Sequence, residues 1–589
     1  MPHVTSPAPP TKLAASAWIT RLERPIEIQG HFPLENSSLK GLTFAVKDNI
    51  DVEGVSTTAA CPEFARTAHE HATVVHRLLQ AGASLHGKTN LDQFACGLNG
   101  SRSPYGAVPN AFNPMYVSGG SSSGSAYVVA TGQVDFALGT DTAGSGRVPA
   151  GLNHIVGFKP TRGRLSATGV VPAAQSVDAV SIFARSVPMA WQVLMTASGH
   201  DPRDPFSRSP EDLPWRAHPF PEAPRVGVPM DLEFYGDESS RVAFEQSLSF
   251  LRAMGAQLVP IDYAPLAQAA DLLYGSALVA ERHAAIRKFF DAHEDAVIEP
   301  VRSIIAQARQ YSATDVFEAQ LKLREIEQKV RPMWKEIDFM VVPTAPTHVS
   351  LEDMRASPVE LNRRLGHYTN FVNLLDYAAL SVPSILRDDG LPFGVTFIAP
   401  AGCDWPLAEW GTRYHANVQK NICTGWGAGQ WPLSTADLTP PPRPGVVLSQ
   451  EPECHLAVVG AHLSGMPLNR QLIERGARLL ETTQTAPIYR LYALANTQPA
   501  KPGLVKVDSA SGRSVQIEIW SMPLSKFGSF VAEIPAPLGI GTLLLADGRQ
   551  VQGFLCESQA IHGATDISHH GGWRAYVQTQ RSQLSTSPI

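Results

Sequence analysis

Long apolar runs are missing from this chain of 589 residues. No hydrophobic stretch approaches the ~20 residues that a membrane-spanning helix needs, so the sequence predicts no membrane segment. The first residues, 1–5, lack the charged region followed by an apolar one that defines a signal peptide. We therefore expect neither membrane insertion nor export.

A strong charge of one sign and a clustering of cysteine are missing as well. Lysine and arginine total 48 against 54 aspartate and glutamate residues, a formal net charge of −6, which offers nucleic acid no basic surface. The six cysteines are scattered and show no metal-ligand spacing, so we interpret them as reduced thiols. The sequence predicts a cytoplasmic protein with no nucleic-acid or membrane partner, no metal and no other cofactor.

What the sequence does contain is glycine and serine concentrated in two short clusters. These are Gly119–Ser125 and Gly139–Arg147, separated by the apolar segment Ala126–Leu138. Such a density permits unusual backbone angles and lets a ligand approach main-chain N–H groups closely. A flexible linker has a similar composition, but linkers do not alternate with apolar segments that predict a helix and a buried strand. We therefore favour a pair of ligand-binding loops.

A single lysine follows an apolar run upstream of these clusters. Lys47 lies in the segment Leu42–Ile50, which turns polar after it. Most lysines at such a position are solvated charges at the end of a strand. Beside two serine-rich loops, however, a desolvated lysine would act as a base.

Together the three segments resemble the amidase signature family, whose members hydrolyse amides with a Ser–cisSer–Lys triad. The resemblance covers roughly residues 20–430 and implies Ser145 as nucleophile, Ser121 as bridging serine and Lys47 as base. The two serines are 24 residues apart (145 − 121), which is the separation typical of the family. In the family the peptide bond before the bridging serine is cis.

The chemistry of amide hydrolysis explains these residue types. A serine hydroxyl attacks only if a base takes its proton, and a lysine does so only if burial lowers its pKa from ~10.4 toward neutrality. Ser121 would relay the proton and return it to the leaving nitrogen. We expect the glycine-rich turn to form an oxyanion hole from the N–H groups of Thr142, Ala143, Gly144 and Ser145. We also predict substrate contacts from Gly120, Ser122 and Gly124.

A tyrosine and an arginine farther along are candidates for holding the substrate. Tyr274 and Arg282 fall in a predicted helical stretch, 271–290, where a separation of eight rotates them by about 80° so that both can face one cavity. An isolated tyrosine and arginine of this kind are usually ordinary surface residues. The amidase portion, however, is most similar to allophanate hydrolases, in which a tyrosine and an arginine so placed hold the substrate carboxylate. Arg282 would then form a bidentate ion pair with that carboxylate.

The alternation of apolar strands and helices predicts an α/β fold. We expect a mixed, mostly parallel sheet with helices on both faces. Residues 1–25 are predicted to form a loosely attached arm with a short apolar helix around residues 13–22. A charged helix over 313–330 indicates either packing within the subunit or a dimer contact, through an apolar face formed by Phe317, Leu321, Leu323 and Ile326.

The proline-rich run Thr439–Gly445 favours an extended chain and marks a domain boundary. It separates a predicted amidase domain, residues 1–440, from a second domain, residues 441–589, whose short strands and turns indicate a smaller α+β unit. The second domain resembles the C-terminal domain of allophanate hydrolases and, more distantly, the γ-glutamylcyclotransferase-like fold. That fold's catalytic acidic motif is missing after the strand that ends at Trp520.

One histidine in the second domain is a candidate catalytic residue. His462 follows an apolar strand and enters a Gly/Ser/Pro loop, where ligands commonly bind. A purely structural role has equal weight. Three other histidines, His562, His569 and His570, lack the partners that a metal site needs.

The resemblance implies hydrolysis of allophanate (urea-1-carboxylate). Attack on its terminal carbonyl releases ammonia, and hydrolysis of the acyl-enzyme gives N-carboxycarbamate, which yields carbamate and CO₂. The second domain would assist that decarboxylation or serve only assembly. The rivals are an amidase with another small substrate and a glutaminase-type amidotransferase subunit. The expected assembly is a homodimer, associated with other enzymes of urea or cyanurate degradation.

Overall fold

A computed structural model describes residues 13–28, 39–422, 425–444, 453–495, 497 and 500–585 of the chain. The described residues belong to two compact units, which span Met1–Val446 and Val447–Ile589. The boundary lies six residues after the one predicted at residue 440 (446 − 440). None of the described helices is long and apolar enough to cross a membrane.

The first unit is built on one large sheet. Its strands are β1 (Trp18–Ile26), β2 (Thr43–Lys47), β3 (Ser56–Thr57), β4 (Arg66–Thr67), β5 (Ser84–Thr89), β6 (Phe136–Asp141), β7 (Val156–Lys159), β8 (Ala179–Ala184), β9 (Arg225–Pro229), β10 (Gln257–Ile261), β11 (Phe339–Pro343), β12 (Tyr377–Leu386) and β13 (Pro392–Pro400). Eleven of them form the sheet, in the order β1-β5-β2-β6-β8-β7-β12-β13-β11-β9-β10, while β3 and β4 pair separately.

The sheet is mixed, as predicted, but parallel pairs are in the minority. Four of its ten neighbouring pairs are parallel, namely β5–β2, β2–β6, β11–β9 and β9–β10, and the other six are antiparallel. The expectation of a mostly parallel sheet was therefore wrong. A strand buried on both faces has the same continuous apolar pattern whichever way its neighbour runs.

Helices pack on both faces of this sheet. They are α1 (Thr73–Gln80), α2 (Ser123–Ala130), α3 (Val148–Leu152), α4 (Val187–Ala197), α5 (Glu238–Ala253), α6 (Ala264–Gly275), α7 (Ala280–Ala292), α8 (Val301–Ala306), α9 (Ala313–Val330), α10 (Met333–Glu336), α11 (Leu351–Ala356), α12 (Glu360–Leu365), α13 (Asn370–Leu374) and α14 (Asp404–Ile422). Successive strand residues point to opposite faces. Phe44 and Val46 accordingly pack in the core that contains α1 and α4, whereas Ala45 packs in the core that contains α2.

The N-terminal segment differs from its prediction. Residues 18–26 form β1, the edge strand of the large sheet, paired antiparallel with β5. Of the short helix expected around residues 13–22, the structure has only a single 3-10 turn, Ala15–Ala17. An isolated helix of ten residues is marginal in water, whereas the open edge of β5 supplies backbone hydrogen-bond partners. The side chain of Trp18 adds a hydrogen bond from Nε1 to Gln133 Oε1, 2.9 Å.

The second unit has its own sheet and its own core. Its elements are β14 (Glu453–Val458), β15 (Arg478–Gln484), β16 (Tyr489–Ala493), β17 (Pro502–Lys506), β18 (Gln516–Pro523), β19 (Leu538–Leu544), β20 (Gln550–Cys556), β21 (Thr565–Asp566), α15 (Arg470–Ile473), α16 (Leu524–Val531) and α17 (Trp573–Ser585). One sheet has the strand order β15-β18-β14-β20-β19, and a smaller sheet has the order β17-β16-β21. A single apolar cluster unites the strands with α16 and α17. This is the smaller α+β unit that the sequence predicted.

Candidate active site

Two neighbouring parallel strands bring the three predicted triad residues together. Lys47 ends β2, Ser145 lies in the loop that follows β6, and Ser121 lies just before α2. Because β2 and β6 are adjacent and parallel, their carboxyl ends meet at one edge of the sheet, where ligands bind in open α/β sheets. The Nζ of Lys47 is 2.7 Å from the Oγ of Ser121, which is 3.0 Å from the Oγ of Ser145. The peptide bond between Gly120 and Ser121 is cis.

Lys47 is completely buried and has only hydroxyl partners. Its Nζ donates to Thr140 Oγ1 as well as to Ser121 Oγ, each at 2.7 Å. Burial lowers the pKa of Lys47 to about 7, and the positive charge of Arg282 lowers it further, while nearby carboxylates, chiefly that of Asp92, oppose the shift. A substantial fraction of this amine is therefore neutral at physiological pH, as a general base requires.

A buried ion pair holds the loop that carries Ser145, the predicted nucleophile. Arg147 donates from Nε to Asp141 Oδ2 and from Nη2 to Asp141 Oδ1, both at 2.9 Å. The same carboxylate accepts the N–H groups of Gly144 and Gly146, also at 2.9 Å. Both side chains are fully buried. A bidentate pair of this kind fixes direction as well as distance, so the loop presents Ser145 in one conformation.

The loop leaves backbone N–H groups free to meet an oxyanion. In the part of the chain that the structure describes, the N–H groups of Thr142, Ala143 and Ser145 have no protein acceptor. The N–H of Gly144, in contrast, is already engaged by Asp141. Gly144 has φ of +140°, and a Cβ there would lie 2.3 Å from Thr369 Oγ1. Its place in the loop is thus explained by conformation and space, and its expected role as an oxyanion donor stays a prediction.

The other three predicted contact residues are bound into the fold. A Cβ on Gly120 would lie 2.3 Å from Asp92 Oδ2, and one on Gly124 would lie 2.3 Å from Ala17 O. The hydroxyl of Ser122 donates to the backbone O of Thr140, 3.1 Å away. Packing accounts for all three residues, and their contact with substrate stays a prediction.

Tyr274 and Arg282 meet, but not in the way the sequence suggested. They lie on two helices, α6 and α7, so the single helical stretch expected over 271–290 was wrong. Gly275 has low helix propensity, and the Ser276 hydroxyl accepts the N–H of Leu278 and caps a new turn. Arg282 Nη2 donates to the Tyr274 hydroxyl at 2.9 Å.

The remaining donors of Arg282 have no partner. The residue is only 3% exposed, and its Nε and Nη1 make no hydrogen bond to any described residue. Leaving a buried charged donor unsatisfied is costly. The fork of this guanidinium could therefore bind an anion, and its charge lies near enough to the triad to lower the pKa of Lys47.

One acidic residue of this region was missed by the sequence analysis. Asp178 accepts a 2.5 Å hydrogen bond from Thr142 Oγ1 at the start of the nucleophile loop, and it also accepts the N–H groups of Ala173 and Ala174. Burial raises the pKa of Asp178 to about 6. No motif marks it, because its importance comes from partners that only the fold brings near.

In the second unit, His462 lines a pocket of about 170 Å³ that also contains Lys501 and Glu533. Its Nε2 is 2.8 Å from Gln471 Oε1, and its ring stacks on Phe554 with centroids 5.0 Å apart. Burial lowers the pKa of His462, so the imidazole is neutral at physiological pH. Among the described residues, no group of His, Cys, Asp or Glu is arranged to hold a metal ion.

Comparison with known families agrees with this geometry. The amidase family matches residues 13–407, and the chain belongs to the amidase family of hydrolases. The family described as "Allophanate hydrolase C-terminal domain" matches residues 454–578 in the second unit. The two domains together are those expected from the sequence.

Individual relatives share one or both units. The allophanate hydrolase of Kluyveromyces lactis aligns with 96% of this chain and 94% of its own, with 40% identity and a TM-score of 0.74. The urea amidolyase of Saccharomyces cerevisiae is 43% identical over 559 residues, which are 94% of this chain but 30% of that protein. The chain thus spans 30% of the length of the urea amidolyases of Saccharomyces cerevisiae and Lachancea kluyveri. A glutamyl-tRNA(Gln) amidotransferase protein from Synechococcus is 31% identical over 395 residues, 62% of this chain and 80% of its own.

Proposed function

We propose that this chain hydrolyses allophanate with Ser145 as nucleophile, Ser121 as proton relay and Lys47 as base. The observation that carries the proposal is a buried guanidinium with two unpaired donors, that of Arg282, beside a hydrogen-bonded Lys–Ser–Ser chain. Such a site selects an amide that carries a carboxylate. Relatives that are similar over both units are named allophanate hydrolase and urea amidolyase.

The first half of the reaction follows from the hydrogen bonds. With Lys47 neutral, Ser145 donates its proton to Ser121 as Oγ attacks the terminal carbonyl carbon, and Ser121 passes its own proton to Lys47 Nζ. The N–H groups of Thr142, Ala143 and Ser145 receive the negative oxygen. The protons return through Ser121 to the leaving nitrogen, which departs as ammonia. A water molecule attacks the acyl-enzyme by the same relay and releases N-carboxycarbamate.

Arg282 and Tyr274 are proposed to hold the carboxylate of allophanate. The planar fork of an arginine matches the two oxygens of a carboxylate. Burial raises the pKa of Tyr274, so its phenol stays protonated and donates a further hydrogen bond. This arrangement favours allophanate over uncharged amides.

The second step is proposed to take place in the second unit, with His462 as a proton carrier. Loss of CO₂ from N-carboxycarbamate leaves an anionic nitrogen that must receive a proton. The His462 ring lies in a pocket with the ammonium-bearing Lys501, which suits a dianion. The alternative, in which this domain serves only assembly, predicts that His462 can be replaced without effect on the intermediate.

We further propose a homodimer in the cytoplasm, associated with other enzymes of urea degradation. On α9, Phe317 and Leu321 are 71% and 62% exposed, whereas Ile326 is buried, so the apolar face packs within the chain at one end and is open to a partner at the other. Cys61, Cys96, Cys403 and Cys556 are free thiols, as expected of a reducing compartment.

Ammonia release from a set of related amides tests the proposed function. Purified protein should hydrolyse allophanate far faster than biuret, urea or propionamide. Arg282→Lys should lower kcat/KM for allophanate by about 100-fold, since a point charge cannot reproduce the fork. For biuret, in which an uncharged amide replaces the carboxylate, the change should be small.

Arg287→Lys is the matched control, because this arginine lies on the same helix with an exposed side chain. It should leave both substrates unaffected. Equal losses on allophanate and biuret in Arg282→Lys would refute the carboxylate site. A preference for an uncharged amide or for glutamine would favour the rival amidases.

A further inference from the structure

A small cavity lies next to the proposed carboxylate site. It has a volume of about 150 Å³ and is lined by Tyr274, Leu98 and Asn370, among others. Leu98 and Tyr274 pack in the same apolar cluster as Ala143 of the nucleophile loop. The cavity therefore shares Tyr274 with the proposed carboxylate site and lies against the apolar cluster that contains Ala143.

The amide oxygen of Asn370 has no partner among the described residues. Asn370 is 7% exposed, and its Oδ1 is buried without a hydrogen bond. Asn362, which lines the same cavity, shows the usual arrangement, since its Oδ1 accepts from both Leu98 N and Asn99 Nδ2 at 2.7 Å. A buried amide without partners costs stability unless a ligand completes it.

The position of Asn370 in the chain is fixed by the nucleophile loop itself. The preceding residue, Thr369, packs against Gly144, and its carbonyl accepts from Arg147. Three residues later, Asn373 donates to the backbone O of Asp141 at 2.7 Å. Asn370 is thus anchored on both sides to the loop that holds Ser145.

We infer that Asn370 is a specificity-determining residue that accepts the N–H between the two carbonyl groups of allophanate. This inference rests on the proposed function. In that pose the carboxylate is held by Arg282 and Tyr274, and the scissile oxygen by the backbone N–H groups of the loop. The internal N–H lies between those two ends, and neither of these contacts supplies it with an acceptor. The side-chain Oδ1 of Asn370 accepts a hydrogen bond from this N–H. A methylene in the same position could not donate one, so Asn370 distinguishes the two groups.

Three ligands separate this role from that of Arg282. Malonamate has a methylene in place of the internal N–H of allophanate and keeps the carboxylate. Biuret keeps the N–H and lacks the carboxylate. Asn370→Ala should therefore weaken the binding of allophanate and biuret but not that of malonamate. Arg282→Lys should weaken the binding of allophanate and malonamate but not that of biuret.

Dissociation constants are measured by calorimetry in the full chain carrying Ser145→Ala, which prevents turnover. Asn370→Ala in this background should raise the dissociation constant of allophanate by about tenfold or more, the usual effect of one lost buried hydrogen bond, and should abolish its advantage over malonamate. Asn370→Ser serves as a second variant, and an unchanged thermal midpoint shows that each protein is folded. Asn421→Ala is the matched control, because it makes the same substitution at an exposed side chain that does not line the cavity.

Each outcome decides the question. Equal weakening of allophanate and malonamate would mean that Asn370 holds the carboxylate and would overturn the inference, as would no effect on either. A loss of affinity confined to the two ligands with an internal N–H, and absent in Asn421→Ala, supports it. If the parent protein binds none of the three ligands, the proposed function fails instead, and the inference fails with it.

Discussion

A buried lysine is acceptable in this site because the molecule does not require it to be charged. Full desolvation disfavours the ammonium form by several kcal/mol, and among described residues Lys47 has no carboxylate within hydrogen-bond distance. Its three neighbours Asp92, Asp178 and Asp141 act only through space. The balance leaves the pKa at about 7, which is where a general base works best at physiological pH.

The pH dependence of hydrolysis should report this lysine. We expect kcat/KM for allophanate to fall tenfold for each pH unit below about 7 and to level off above it, because only the neutral amine accepts a proton. Arg282 lowers the pKa of Lys47, and a bound carboxylate offsets that positive charge. The inflection in kcat should therefore lie at higher pH than the inflection in kcat/KM. Initial rates of ammonia release between about pH 5.5 and 9 provide the measurement.

Asp178→Asn is the control for this profile, because Asp178 also has a shifted pKa and raises that of Lys47. The inflection should persist and move to lower pH. If it disappears, Asp178 is the titrating group and the assignment to Lys47 is wrong.

At the residue scale, the sequence predicted those side chains that belong to a local motif. Lys47, Ser121 and Ser145 are each embedded in a distinctive short segment, and the structure brings them within hydrogen-bond distance. Asp178 and Asn370 have no such segment. The position of Asp178 matters because it contacts Thr142, and that of Asn370 because its neighbour Thr369 contacts Gly144. Thr369 and Gly144 are more than 200 residues apart (369 − 144), and no local pattern encodes such a contact.

The loop between β6 and α3 is the element on which the site depends. Asp141 and Arg147 close it as an ion pair, and Gly144 gives it a backbone angle that favours glycine. The loop also lies against Thr369, so it cannot move outward to accommodate a larger residue. Its shape therefore fixes both the nucleophile and the N–H groups around it.

Gly144→Ala should be far more damaging to catalysis than to binding. The new Cβ would lie 2.3 Å from Thr369 Oγ1 in a residue held at φ +140°, so the loop must shift and move its N–H groups away from the oxyanion. We expect kcat to fall by about 10²–10³, the effect of losing one such donor, with little change in KM. Steady-state kinetics on allophanate measures both.

The matched control is Gly528→Ala in α16, where a Cβ would meet nothing within 4 Å. This variant should leave kcat and the rate of the first ammonia release unchanged. A tenfold rise in KM for Gly144→Ala with unchanged kcat would instead place this loop in ground-state binding.

At the element scale, boundaries set by local chemistry were predictable and pairing partners were not. The helix at 313–330 was predicted with the bounds that the structure gives to α9, because its periodicity and the Ser312 cap are local signals. The edge strand β1 and the antiparallel majority of the sheet depend on which strand lies alongside. That choice is made by tertiary packing, which apolar runs do not reveal.

At the scale of the whole molecule, the chain consists of two units that each have a complete apolar core. Every residue proposed for the first ammonia release lies in the first unit, and the His462 pocket is lined only by residues of the second. The proline-rich run indicated this division, since an extended stiff segment is unsuited to the interior of a domain. The proposed reaction divides in the same way, into amide hydrolysis and decarboxylation.

His462→Ala in the full chain should separate the two steps. The first ammonia release should be unchanged, because no residue of the triad is affected. N-carboxycarbamate should accumulate, because the nitrogen that loses CO₂ no longer receives a proton through His462, a neutral imidazole that accepts one proton at one ring nitrogen as it gives up another at the other. Time-resolved ¹³C NMR with labelled allophanate follows the intermediate directly, which matters because N-carboxycarbamate also breaks down unaided.

The matched control is His455→Ala, since His455 precedes the same loop on β14 and has an exposed side chain. It should leave the lifetime of the intermediate unchanged. An unchanged lifetime in His462→Ala as well would remove the catalytic role of the second unit. Assembly would then be its function, and a chain ending at residue 446 should show a sedimentation coefficient lower than its loss of mass explains. If that shorter chain keeps both the lifetime of the intermediate and the assembly of the full chain, neither role for the second unit holds, and spontaneous decarboxylation accounts for the second step.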